Sequence, residues 1–138
     1  MDKQPARVKP KAESLLNQEA EVEDDDLFDT ALQDQRFDSM KEFLPELLGL
    51  YRDNVVSTLY RVRECLAAGD TQGAGKAAHN LKGMSAVVCA RAVQELAVEL
   101  ELAVQKNDMD CLPSLLARLE GRVEKTVAYL NATLPGPA

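Results

Sequence analysis

Between Leu47 and Leu130 apolar residues recur every three or four positions, and the breaks in that rhythm fall at helix punctuation rather than at strand-like alternation. The spacing predicts a long helix from about Lys41 or Pro45 to Ala68, with the stripe Leu47, Leu48, Tyr51, Val55, Leu59, Val62, Leu66 and a stop at Gly69. Asp70 suits the N-cap of a further helix, Thr71 to about Val88. Another runs from about Ala90 to Gln105, and a last one from about Asp110 to Asn131. A short additional helix, about Phe28 to Phe37 with Asp26 near its start, precedes them. Amphipathic helices on short links must bury their stripes on one another, so the expected fold is all-α: an antiparallel up-down four-helix bundle with a short extra N-terminal helix. Aromatic residues make up only 4% and there is no Trp, which argues against a sandwich or barrel.

Residues 1–26 differ from the rest. They hold eight acidic and four basic side chains with almost nothing to bury, and read as a flexible, disordered acidic tail. The bundle is expected over 27–132 and a short C-terminal tail over 133–138. Of the net charge of −7, four units belong to the N-terminal segment, so the body is nearly balanced. That balance disfavours nucleic acid as a partner. No stretch reaches the roughly 18 uncharged residues of a membrane span, the first residues lack a signal-like apolar run, and a cytoplasmic location is expected. Cys65, Cys89 and Cys111 are odd in number and irregularly spaced, suggesting neither a disulfide framework nor a zinc ribbon.

There is a single histidine, His79, so no multi-histidine metal site can form within the chain. On a wheel of roughly 100° per residue, Ala74, Ala77, Leu81, Met84 and Val88 fall within about 40° of the pole opposite His79. They are read as core, Met84 included. The imidazole therefore faces solvent. Gly75 and Gly83 lie one turn either side of it, with Ala86 on the same face and Lys76 and Lys82 flanking. Each glycine costs a helix about 1 kcal/mol relative to Ala, and the compensating benefit would be access for another protein's cleft. The lysines, with no carboxylate between them in sequence, suit an anion attached to the ring. A metal site joining His79 to a cysteine is disfavoured, because the thiols should lie toward the stripe.

The segment Ala77-Ala78-His79-Asn80-Leu81-Lys82-Gly83-Met84-Ser85-Ala86 resembles the His-x-Leu-Lys-Gly-x-Ser/Ala signature of histidine phosphotransfer (HPt) domains of multistep phosphorelays. The resemblance extends to Leu66-Ala67-Ala68-Gly69-Asp70 before it and to Val93, Ala97, Leu100 and Glu101 after it. It implies a four-helix bundle, a phosphoacceptor at His79, phosphoryl stabilisation by Lys82, and partner access at Gly83. The phosphoryl group would come from an aspartate on the receiver domain of a hybrid kinase or response regulator and pass to another response regulator. No cofactor is implied on this chain, since the Mg²⁺ of such systems belongs to the receiver. With no nucleotide-binding box the chain reads as a phosphocarrier and not a kinase. A free imidazole titrates near about 6.5 and is largely neutral at pH 7, which suits a nucleophile.

The expected docking residues are Gln72, Gly75, Lys76 and Ala86, joined by second-helix positions such as Arg52 or Val56. Two departures from the family pattern stand out. Cys89 occupies a common glycine position, which suggests a turn without positive φ, and Met84 replaces a small residue. A helical adaptor without phosphoryl chemistry is the alternative reading, and it predicts that His79→Gln leaves function intact.

Overall fold

The computed structural model describes residues 23–134. Five α-helices follow in order: α1 (Thr30–Arg36), α2 (Phe43–Ala67), α3 (Thr71–Val87), α4 (Arg91–Gln105) and α5 (Leu112–Thr133). Short 3-10 turns form at Asp24–Asp26, Asp38–Met40 and Met109–Cys111. Helices α2 to α5 run up and down in turn, with α5 closing the bundle against α2. The fold is the all-α bundle with an extra N-terminal helix that the periodicity predicts.

The interior is filled by Val55 and Val62 of α2, Leu81 of α3, Leu96 and Leu100 of α4, and Leu119, Val123 and Leu130 of α5, all at most 2% exposed. Buried polar side chains find partners inside the bundle. Tyr51 and Ser85 share a hydrogen bond of 2.8 Å across α2 and α3, and burial pushes the Tyr51 phenol upward, so it stays protonated. The Thr126 hydroxyl donates to the Arg122 carbonyl one turn back.

The three turns between bundle helices share one construction. After α2, Gly69 (φ 75°) takes the left-handed conformation, its N–H donating to Leu66 O and the next N–H, of Asp70, to Cys65 O. After α4, Asn107 (φ 59°) does the same, with Asp108 N reaching Ala103 O. After α3 the left-handed residue is Cys89 (φ 60°), with Ala90 N on Ser85 O at 2.8 Å. These are Schellman closures, in which one left-handed residue satisfies two orphan carbonyls. The expectation that Cys89 avoids positive φ is therefore overturned. Closing α3 requires that conformation, and the thiol is accommodated by burial at 2% exposure. Asp70 caps α3 as expected, accepting from Gly73 N at 2.9 Å.

The start of the chain is ordered earlier, and differently, than predicted. Asp24–Asp26 form a 3-10 turn rather than tail, Leu27 is a plug in the core, and so is Phe28, which is not the helical position expected. Asp29 caps α1, accepting from Leu32 N, so the helix starts a few residues later than the expected position near Asp26. For residues 1–22 and 135–138 the expected tails lie outside the described residues. Helix α1 serves the end of α3: Arg36 donates to the carbonyls of Ala86 (2.7 Å) and Val87 (3.1 Å), and Gln33 to that of Val88 (2.9 Å). The last carbonyls of α3 thereby gain side-chain donors, in addition to the Cys89 N–H that Ala86 O already accepts.

Candidate functional site

His79 sits near the middle of α3 with its side chain 62% exposed, on the face opposite Ala77, Leu81 and Val88 as the wheel requires. Ala78 and Ser85 are also fully buried, so the buried arc is turned toward their side. Met84, expected in the core, is left at its margin, half-buried in a groove between α2 and α3.

The antiparallel register of α3 and α4 brings Glu101 beside the ring. Its Oε2 lies 2.8 Å from His79 Nδ1 and its Oε1 2.8 Å from Lys82 Nζ. The expectation that no carboxylate stands between the cationic groups is thus corrected: the carboxylate comes from the neighbouring helix. Glu101 is only 13% exposed, and the Lys82 hydrogen bond holds its carboxyl below the usual range against the opposing effect of burial, helped by the His79 contact. An ionised carboxylate can only accept, so Nδ1 carries the proton it shares with Glu101. The lone pair is left on Nε2, at the exposed edge of the ring. Lys82, one turn along α3, places its ammonium beside this pair while keeping a third of its side chain in solvent.

The two glycines differ. A Cβ built at Gly83 meets nothing within 4 Å, so this position is open to whatever approaches the ring. A Cβ at Gly75 would come to 3.4 Å of Val104 Cγ1, so that glycine serves the close approach of α3 and α4. Gln72, Gly75 and Lys76 do line one groove with His79, floored by Val104. Ala86 does not: two turns along α3, it borders a separate groove with Leu32 and Arg36. Val56 lies away from His79, in the groove between α2 and α5 with Leu59, Tyr60 and Val127, and Arg52 shares that side by helical register. The α2 residues that flank α3 are Leu50, Asn54, Ser57 and Arg61.

Among the described residues no group of three or more metal-ligating side chains converges, and no helix is long and apolar enough to cross a membrane. Sequence reading passed over Glu101 as an acting group. Its signal is an acidic side chain beside the apolar stripe of α4, between Ala97 and Val104, where a solvated residue would have been on the outer face.

Comparison with protein families matches residues 46–129 to the Hpt domain. Among solved structures, histidine-containing phosphotransfer protein B (HptB) from Pseudomonas aeruginosa PAO1 superposes with a TM-score of 0.71 at 22% identity, over 77% of this chain and 92% of that one. That likeness shows the shared fold. No curated protein sequence matches. With more than half of its length matched and His79 inside the matched segment, the chain belongs to the Hpt domain family, the histidine phosphotransfer proteins of two-component signalling.

Proposed function

We propose that His79 is the phosphoacceptor of a multistep phosphorelay, taking a phosphoryl group from a receiver-domain aspartate and passing it to a second response regulator. The observation that carries this reading is the Nδ1 to Glu101 hydrogen bond, which in the neutral ring puts the lone pair on Nε2, on the exposed side chain. In the forward step Nε2 attacks phosphorus, the N–P bond forms, and the acyl-phosphate P–O bond breaks with its electrons returning to the aspartate carboxylate. The ring gains positive charge as the bond forms, and Glu101 at 2.8 Å stabilises that charge by accepting the hydrogen bond from Nδ1, which keeps its proton. In the onward step a carboxylate oxygen of the second regulator's aspartate attacks phosphorus, the acyl-phosphate P–O bond forms, the N–P bond breaks and neutral imidazole leaves. Lys82 is positioned to share its ammonium between Glu101 and the phosphoryl oxygens. Any divalent ion is held by the receiver's acidic pocket, so this chain acts as a phosphocarrier, without ATP-dependent kinase activity of its own, in the cytoplasm.

The receiver docks over His79. Gln72, Gly75 and Lys76 form one border of the contact, and the exposed side chains of Leu50 and Val87 supply apolar area on the α2 side. The test is transfer from a phosphorylated receiver to wild type and His79→Gln. Acid-labile, alkali-stable label on wild type alone supports the proposal. Equal labelling of both proteins, or intact signalling by His79→Gln, favours a helical adaptor instead.

A further inference from the structure

The two lysines that flank His79 on α3 are not equivalent. By helical register they lie about 60° to either side of it, Lys76 one turn before and Lys82 one turn after. Lys82 stands on the α4 flank and is held there, its ammonium 2.8 Å from Glu101 Oε1. Lys76 is on the other flank and exposed, and among the described residues no ion pair or hydrogen bond holds its ammonium.

The ring is turned toward the second of these. Helical side chains lean toward the N-terminus, so the His79 imidazole lies over the turn that carries Gly75 and Lys76. The groove beside it bears this out: Gln72, Gly75 and Lys76 line it with His79, Glu101 and Val104 close its α4 side, and Lys82 and Gly83 lie outside it. Nδ1 is directed at Glu101. The outward bonds of Nδ1 and Nε2 diverge across an imidazole, so a group on Nε2 is carried away from Glu101 and from the ammonium fixed to it.

The charges lead the same way. Lys82 and Glu101 offset one another and the neutral ring adds nothing, which leaves the Lys76 charge uncompensated beside an atom that is to carry an anion. A phosphoryl group brings about 1.5 to 2 negative charges and three acceptor oxygens. A lysine ammonium offers three donors on a flexible stem. Resting on the reading of His79 as the phosphoacceptor, we infer that Lys76 binds the phosphoryl oxygens once phosphorus is on Nε2, and so sets how far transfer runs toward phosphohistidine.

The test is the final partition of label between a phosphorylated receiver and this protein, both dilute enough to be dissociated at equilibrium. A residue that touches only the receiver changes how fast the partition is reached. One that binds the phosphoryl group in the free protein changes the partition itself. Lys76→Ala is expected to lower the ratio of phosphohistidine to phosphorylated receiver by at least about threefold, within reach of one exposed charge pair. Lys76→Glu should lower it further, and Lys76→Arg should bring it back to within about twofold of wild type. An unchanged ratio in Lys76→Ala, whether or not transfer is slower, overturns the inference, and so does a Lys76→Arg ratio as low as that of Lys76→Ala. Label on His79→Gln equal to that on wild type removes the phosphoacceptor reading and the role of Lys76 with it. Label lost in His79→Gln, with a partition indifferent to Lys76, keeps the phosphoacceptor and removes Lys76 alone.

Discussion

Glu101 Oε2 and His79 Nδ1 are 2.8 Å apart although 22 residues separate them in the chain. This one hydrogen bond assigns the imidazole proton and aims Nε2 outward. Replacing Glu101 with Ala should leave the two ring tautomers mixed and slow phosphotransfer by at least about 10-fold, the lower end of what losing an outer-shell partner costs a metal-ligating histidine. Ring ¹⁵N shifts should show protonated Nδ1 in the neutral wild type and mixed tautomers in the variant. Identical shifts in both proteins would remove Glu101 from the mechanism.

The same carboxylate makes the site's contribution to stability depend on pH. Glu101 is held below its ordinary value, chiefly by Lys82, so the stabilisation is present above the unfolded-state pKa of about 4.3 and lost as pH falls through the folded-state value. Chemical unfolding of wild type and Glu101→Gln should differ near pH 7 and converge only once the pH has fallen below the lowered folded-state value. A gap that persists in acid would mean that packing, not charge, sets it. Lys82→Ala should slow transfer while costing no more than about 1 kcal/mol of stability.

Gly83 separates folding from function. Since a Cβ there meets nothing within 4 Å, Gly83→Ala should stabilise the bundle by up to about 1 kcal/mol through helix propensity, raising Tm by several degrees. A bulkier Gly83→Gln should keep the fold and impede transfer from the receiver. Unimpaired kinetics in the Gln variant would show that the partner does not approach over this turn.

At Cys89 the prediction concerns backbone alone. Gly relieves the cost of φ 60° but gives up a buried side chain, so Cys89→Gly should lie within about 1 kcal/mol of wild type. Cys89→Val places a β-branched side chain in the left-handed region and should destabilise by about 2 kcal/mol or more. Equal thermal stability of the two variants would contradict the role assigned to this turn.

Much of this architecture is legible in the sequence because its determinants are local. Gly69 and the Asp70 cap delimit α2 and α3 almost to the residue, and the wheel places His79 outward from the spacing of Ala77, Leu81 and Val88. What a single helix cannot reveal is which neighbour covers each flank. Glu101 reaches His79 only through the register of α3 against α4, and Val56 turns toward α5 rather than α3 for the same reason. Phe28 reads as the start of a short helix because apolar plugs and helix faces use the same residues. The Cys89 turn was hidden because a thiol at a glycine position gives no local hint that the helix end will impose positive φ.

The central claim is that phosphorus is carried on Nε2 of His79 while Nδ1 keeps its proton on Glu101. Heteronuclear NMR of the ¹⁵N-histidine-labelled protein, phosphorylated by a receiver, measures this directly. The account predicts phosphorus coupling to Nε2 with protonated Nδ1; phosphorus on Nδ1, or on any residue other than His79, would contradict it.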